Sequence, residues 1–144
     1  MQVVEKDEWR QFAHMFEPDG SLRDIVVYGT GVADCQKLLD LIRREFGTSV
    51  RRTSGLPLPA DAADLFAESG DAILFEKSGT LFKYDIISPE LIEIDLDPRA
   101  VTSSEQFEAI RTFMSKLSRV VNKDVFLTEE GDRGDYLLKV GTTS

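Results

Sequence analysis

Between Ala72 and Asp97 three strand-like segments follow one another with very short links, and this spacing constrains the fold more than any other feature of the chain. The segments are Ala72 to Glu76, Thr80 to Ile87 and Leu91 to Asp97, and the turns are Ser78-Gly79 and Ser88-Pro89-Glu90. A parallel pair of strands needs a crossover of about a dozen residues or more, whereas an antiparallel pair can be joined by about two. The links therefore predict an antiparallel meander.

The third segment, Leu91-Ile92-Glu93-Ile94-Asp95-Leu96-Asp97, carries the sharpest local pattern. A strand's period of two puts Ile92, Ile94 and Leu96 on one face and Glu93, Asp95 and Asp97 on the other. Successive carboxylates then stand roughly 6.6–6.8 Å apart at Cα. They would share a divalent cation only if a loop or a second strand supplied further oxygens. Lys83, on the preceding segment, is placed to sit opposite and neutralise part of the row. The row reads as the solvated face of a half-buried strand, as an acidic ridge that binds a protein, or as a metal-binding or catalytic acid pair.

Around the meander the periodicity changes. Asp24 to Tyr28 is a β-branched run, and Val32 to Phe46 has a helical stripe of Cys35, Leu38, Leu39, Ile42 and Phe46. Gly29 and Gly31 between them suggest a dinucleotide fingerprint, but Asp34 stands where the third glycine belongs, and a carboxylate there repels a pyrophosphate. With Gly31 as N-cap, Asp34 falls at N3, where its charge complements the free amides. Thr48 to Thr53 reads as a polar strand, Ser54 to Pro59 as a rigid connection, and Asp61 to Glu68 as a short helix closed by Gly70. Thr102-Ser103-Ser104-Glu105 reads as a capping box opening a helix to Asn122, with Phe107, Ile110, Phe113, Met114, Leu117, Val120 and Val121 along one stripe. Val125 to Thr128 and Tyr136 to Val140 read as closing strands.

Upstream, Trp9, Phe12, Ala13 and Phe16 lie at helical spacing, and Glu17-Pro18-Asp19-Gly20 breaks the chain. The expected architecture is α+β: a single mixed or antiparallel sheet of five to seven strands, two main helices on one face and a peripheral N-terminal helix. Residues 1–20 form the N-terminal helix or arm, and residues 21–144 the domain.

Composition limits the function classes. A chain of 144 residues fits one domain burying roughly 68–70% of its unfolded surface. No apolar run approaches the about 18 residues that cross a bilayer, and the polar, acidic N-terminus lacks a signal peptide's apolar segment, so the cytoplasm is the expected location. Cys35 is the only cysteine, which excludes an internal disulfide and a cysteine metal cluster. With 17 Lys+Arg against 26 Asp+Glu the formal charge is −9. That charge repels nucleic acid and anionic lipid and favours basic partners. His14 is the only histidine. It falls on the polar side of its helix while Cys35 faces the core, so neither a Ser-His-Asp nor a Cys-His set assembles. Arg133-Gly134-Asp135 reads as a chance match to an adhesion tripeptide in a turn.

In the stretches SLRDIVVYGTGVADCQKLLDLI and LIEIDLDPRAVTSSEQFEAIRTFMSKLSRVVNKDVFLTEE, the chain resembles a group of small uncharacterised bacterial proteins. These share an Arg-Asp-Ile strand start, an Ile-Glu-Phe-Asp-Ile-Asp-Pro-Arg strand and a Leu-Thr-Pro-Glu ending. The likeness runs from Leu22 to Glu130 and departs at Ile94, where an aromatic is usual, and at Glu129, where a proline is usual. It implies no activity and no catalytic residues.

The residues together suggest a cytoplasmic binding module that offers Glu93, Asp95 and Asp97 to a basic protein, as immunity proteins meet cationic toxins. No cofactor is expected, and a homodimer is compatible with the size. The alternatives are a small metal-dependent or acid/base enzyme using the same three carboxylates, and a structural homo-oligomeric domain. The identity of any metal is left open.

Overall fold

A computed structural model describes residues 12–17, 22–67, 70–130 and 135–141. Seven strands, β1 (Arg23–Tyr28), β2 (Arg51–Arg52), β3 (Ala72–Lys77), β4 (Thr80–Asp85), β5 (Leu91–Leu96), β6 (Val125–Glu129) and β7 (Leu138–Val140), form one sheet in the order β2-β3-β4-β5-β1-β6-β7. Every pairing is antiparallel. Two helices, α1 (Val32–Phe46) and α2 (Ser104–Val121), pack against each other and on one face. The expected α+β architecture is therefore present, with its sheet antiparallel throughout.

The meander forms as its turns require. Lys77 pairs with Thr80, so Ser78 and Gly79 alone make the turn, both at positive φ (55° and 82°). This geometry matches the right-handed twist of a two-residue hairpin. Serine takes that conformation at a cost, and the turn is held by a hydrogen bond from Gln106 Nε2 of α2 to the Ser78 carbonyl at 3.2 Å.

The glycine turn after β1 also has a structural use. Gly29 adopts φ +66°, and the Gly31 amide donates to Asp34 Oδ2 at 3.0 Å, the self-capped start that the sequence suggests. Thr30 Oγ1 donates to the Pro89 carbonyl at 2.7 Å, and the Thr30 amide to the Glu90 carbonyl. The loop thus grips the β4–β5 turn. The expected capping box on α2 does not form: the N-cap is Ser103, one residue later than expected, and its hydroxyl bonds Gln106 Oε1 instead of a backbone amide. The segment around residues 61–68 forms a 3-10 helix at Ala62–Ala67 instead of an α-helix. The expected strands from Thr48 and Tyr136 are reduced to β2 and β7.

Ile25 and Val27 from β1, Ile92, Ile94 and Leu96 from β5, and Phe75, Phe82 and Tyr84 from β3 and β4 join both helices in one core. Cys35 lies fully buried in it, and burial pushes its thiol pKa up, opposed in part by a hydrogen bond with Tyr84 and helped by Asp34. Of the N-terminal helix or arm, Ala13–Phe16 forms a 3-10 turn, and the stretch before Phe12 lies outside the described residues, as do Arg133 and Gly134 of the adhesion-like tripeptide. Met15 and Phe16 are buried, Phe12 and Phe16 pack on Phe107, and the buried Arg23 donates Nε to the Met15 carbonyl at 2.6 Å. This piece is docked on the domain.

Phe113 closes an aromatic cluster, with centroids 5.8, 5.4 and 5.1 Å from Phe46, Phe75 and Phe82. Phe113→Ala should therefore cost about 3–5 kcal/mol, from lost transfer energy plus a cavity that four rigid elements cannot close. Urea denaturation checks this, and a loss below about 1 kcal/mol would mean that the cluster collapses freely.

Candidate functional site

The register of β1 against β5 decides what the second face of the sheet can do. Ile25 pairs with Ile94, so Asp24 falls directly opposite Asp95, and Val26 opposite Glu93. Across the other edge of β5, Lys83 pairs with Asp95. Residues opposite one another share a face. Asp24, Asp85, Glu93 and Asp95 therefore rise from three neighbouring strands on the side away from the helices.

These carboxyls converge. One oxygen from each of Asp24, Glu93 and Asp95 lies within 4.8 Å of the other two. Asp85 and Asp24 both hydrogen-bond to Asp95. Asp24 is buried, and Asp85, Glu93 and Asp95 are half-buried. Desolvation, then these hydrogen bonds and the neighbouring charges, push the Asp95 pKa up to about 9. A proton is thus held in the cluster at neutral pH, shared among interacting carboxyls. Lys83 Nζ lies 3.5 Å from Asp85 Oδ1 and offsets part of the charge.

Asp97 leaves the expected row. The strand ends at Leu96, and Asp97 caps a 3-10 turn (Pro98–Ala100), accepting from the Arg99 amide at 2.9 Å and from Arg99 Nη2 at 2.7 Å. The Arg99 hydrogen bonds hold its carboxyl below the usual range. A strand's alternation stops where the strand stops, and the proline at position 98 ends this one. The structure thus brings Glu93 and Asp95 together with Asp24 and Asp85, and sets Asp97 apart.

Asp24 and Asp85 carry no local signal of this role. Asp24 is the second residue of one strand and Asp85 the last of another, and only the pairing of β1 and β4 with β5 gathers them. The parity of β1 was legible, since Ile25 and Val27 demand the core and send Asp24 to the other side. Its partner strand was not.

The remainder of this face is mixed, with Lys83, Glu76, Arg51 and Lys139 on it as well as an aromatic row. Tyr28, Phe126 and Tyr136 form a row of rings with centroids 5.7 and 5.3 Å apart, and Val26 and Thr128 are buried. Elsewhere, buried Asp71 is an anchor. Burial raises its carboxyl pKa, but Thr53, the Ala72 amide, Arg52 and Ser54 outweigh this and hold it well below the usual range. Arg52 Nη2 lies 2.6 Å from it. His14 is exposed on its turn and Cys35 is buried, so these two do not form a catalytic pair.

No known protein family, curated protein or solved structure matches the chain. Among the described residues, no helix is long and apolar enough to cross a membrane.

The raised Asp95 pKa has a consequence with a definite sign. An unfolded aspartate titrates at about 3.9, whereas Asp95 in the fold titrates near about 9. Between these values the native state binds more protons than the unfolded one, so this group's contribution to stability falls as pH rises. The melting temperature should therefore decline from pH 5 to pH 9 more steeply in the wild type than in Asp95→Asn. Parallel slopes in calorimetry would show that no proton is held there.

Proposed function

We propose that this chain is an acidic binding module of the cytoplasm, and that the sheet face turned away from α1 and α2 receives cationic side chains of a protein partner. The observation that carries this reading is the convergence of Asp24, Asp85, Glu93 and Asp95 from three strands. Burial and the neighbouring carboxyls favour the protonated form of Asp95, and an incoming ammonium or guanidinium replaces that proton. Three of the four carboxyls are half-buried, which strengthens a pairing relative to open water. The chain's net charge of −9 steers such a partner toward it. Asp97, paired with Arg99, stands at the margin of the face and contributes through the summed field only. An immunity-like role is one instance of this chemistry.

Titration with a fluorescent nona-arginine peptide tests the site directly. Wild type should bind it at low salt, weaken as salt screens the field, and release protons on binding at pH 8. Glu93→Gln/Asp95→Asn should weaken binding by about tenfold or more and abolish the proton release. Asp40→Asn/Asp64→Asn, which removes two exposed charges on the helical side, is the control. Equal losses in the two variants would sink the reading, because net charge alone would then account for the binding.

A second reading is favoured by the closeness of three oxygens. One each from Asp24, Glu93 and Asp95 lies within 4.8 Å of the other two, close enough for one divalent ion with oxygen ligands at about 2.3–2.6 Å to touch all three. On this reading calcium, magnesium or manganese raises the melting temperature of the wild type and leaves Asp95→Asn unmoved. Melting curves indifferent to all three ions would remove it, and with it a metal-dependent enzyme at this site.

A further inference from the structure

On the opposite side of the sheet, the C-terminal end of α1, the β3–β4 turn and one stripe of α2 enclose a cleft of about 170 Å³. We propose that it binds a small zwitterion bearing a single aromatic ring, the chemistry of a free aromatic amino acid.

The apolar part of the cleft suits a ring. Phe46 and Phe113 line it and belong to the four-ring cluster with Phe75 and Phe82, whose other two members are fully buried. Ala109, also in the lining, leaves room where a larger side chain would fill the space. A cavity of about 150 Å³ accommodates benzene, so the volume fits one six-membered ring. A ring seated there extends the existing cluster, in which tilted and edge-to-face contacts already prevail.

The charges around it select the polar ends. Lys116 is committed to Glu45 at 3.0 Å. Among the described residues, the side chains of Lys77 at the end of β3 and of Glu105 and Glu108 on α2 make no hydrogen bond or ion pair, although Lys77 acts on Glu45 at longer range. A simple anion entering the cleft meets three carboxylates and two ammonium groups and is disfavoured. A simple cation satisfies an acid on α2 but leaves Lys77 uncompensated. A zwitterion places its carboxylate at Lys77 and its ammonium at Glu105 or Glu108, while its ring covers the phenylalanines.

Titration of ¹⁵N-labelled protein with L-phenylalanine, followed by amide chemical shifts, tests this. Saturable shifts should centre on Ser78 and Ala109. 3-Phenylpropionate, phenethylamine and L-alanine, which each lack one of the three features, should bind about tenfold more weakly or worse. Lys77→Gln should weaken phenylalanine and leave phenethylamine unchanged, and Ala109→Leu should abolish the shifts by filling the cleft. Lys77 is exposed at a strand end, so its variant keeps the test decisive even if Ala109→Leu disturbs folding. Shifts that fail to saturate, that centre elsewhere, or that are matched by the singly charged analogues would overturn the proposal.

Discussion

The pairing of Ile25 with Ile94 in the middle of the sheet is the interaction on which the rest depends. Strand β1 lies between β5 and β6, and its Ile25 and Val27 are fully buried under the helices. Burying an aliphatic side chain of this size contributes about 1.5–3 kcal/mol. A slip of one residue would exchange these side chains for Asp24 and Val26 and set a carboxyl in the core. The apolar face therefore dictates the register, and the register forces Asp24 against Asp95. The meeting of like charges follows from the hydrophobic alternation of both strands, and the protein accommodates it by holding a proton instead of by moving the strands.

Around this centre, polar groups hold the loops. Thr30 and the Gly29 turn clamp the β4–β5 turn, the Arg52 and Asp71 pair ties β2 and the following loop to the start of β3, and Arg23 holds the chain at Met15 and Glu17. Each anchor joins a strand end to a connection that has little apolar surface of its own. The sheet thus reaches its full width with its connections tied at the strand ends, and the register of its central strands keeps several carboxyls close together.

Much of this was legible from residue spacing. The meander follows from two- and three-residue links, α1 and α2 from their stripes, and the burial of Cys35 from its place on one of them. Asp34 at N3 was readable because capping is local. What escaped was non-local or set by the last residue of an element. The pairing of β1 with β5 lies about 70 positions apart in the chain and leaves no mark on either segment, so Asp24 and Asp85 were missed. Asp97 was misplaced because alternation carries no sign of where a strand ends. The weak β2 and β7 looked longer because β-favouring residues continue past the last available partner.

Both margins of the sheet are brief: β2 has two residues and β7 three. A long bare margin offers rows of free amide and carbonyl groups to any passing extended chain. Here a stranger could form only a few such bonds before running past the end, too few to repay the ordering of its own backbone. The fold is in this sense sealed sideways. Self-association by lateral growth, the route to fibres, is discouraged by architecture, and encounters are directed to the broad surfaces above and below the sheet.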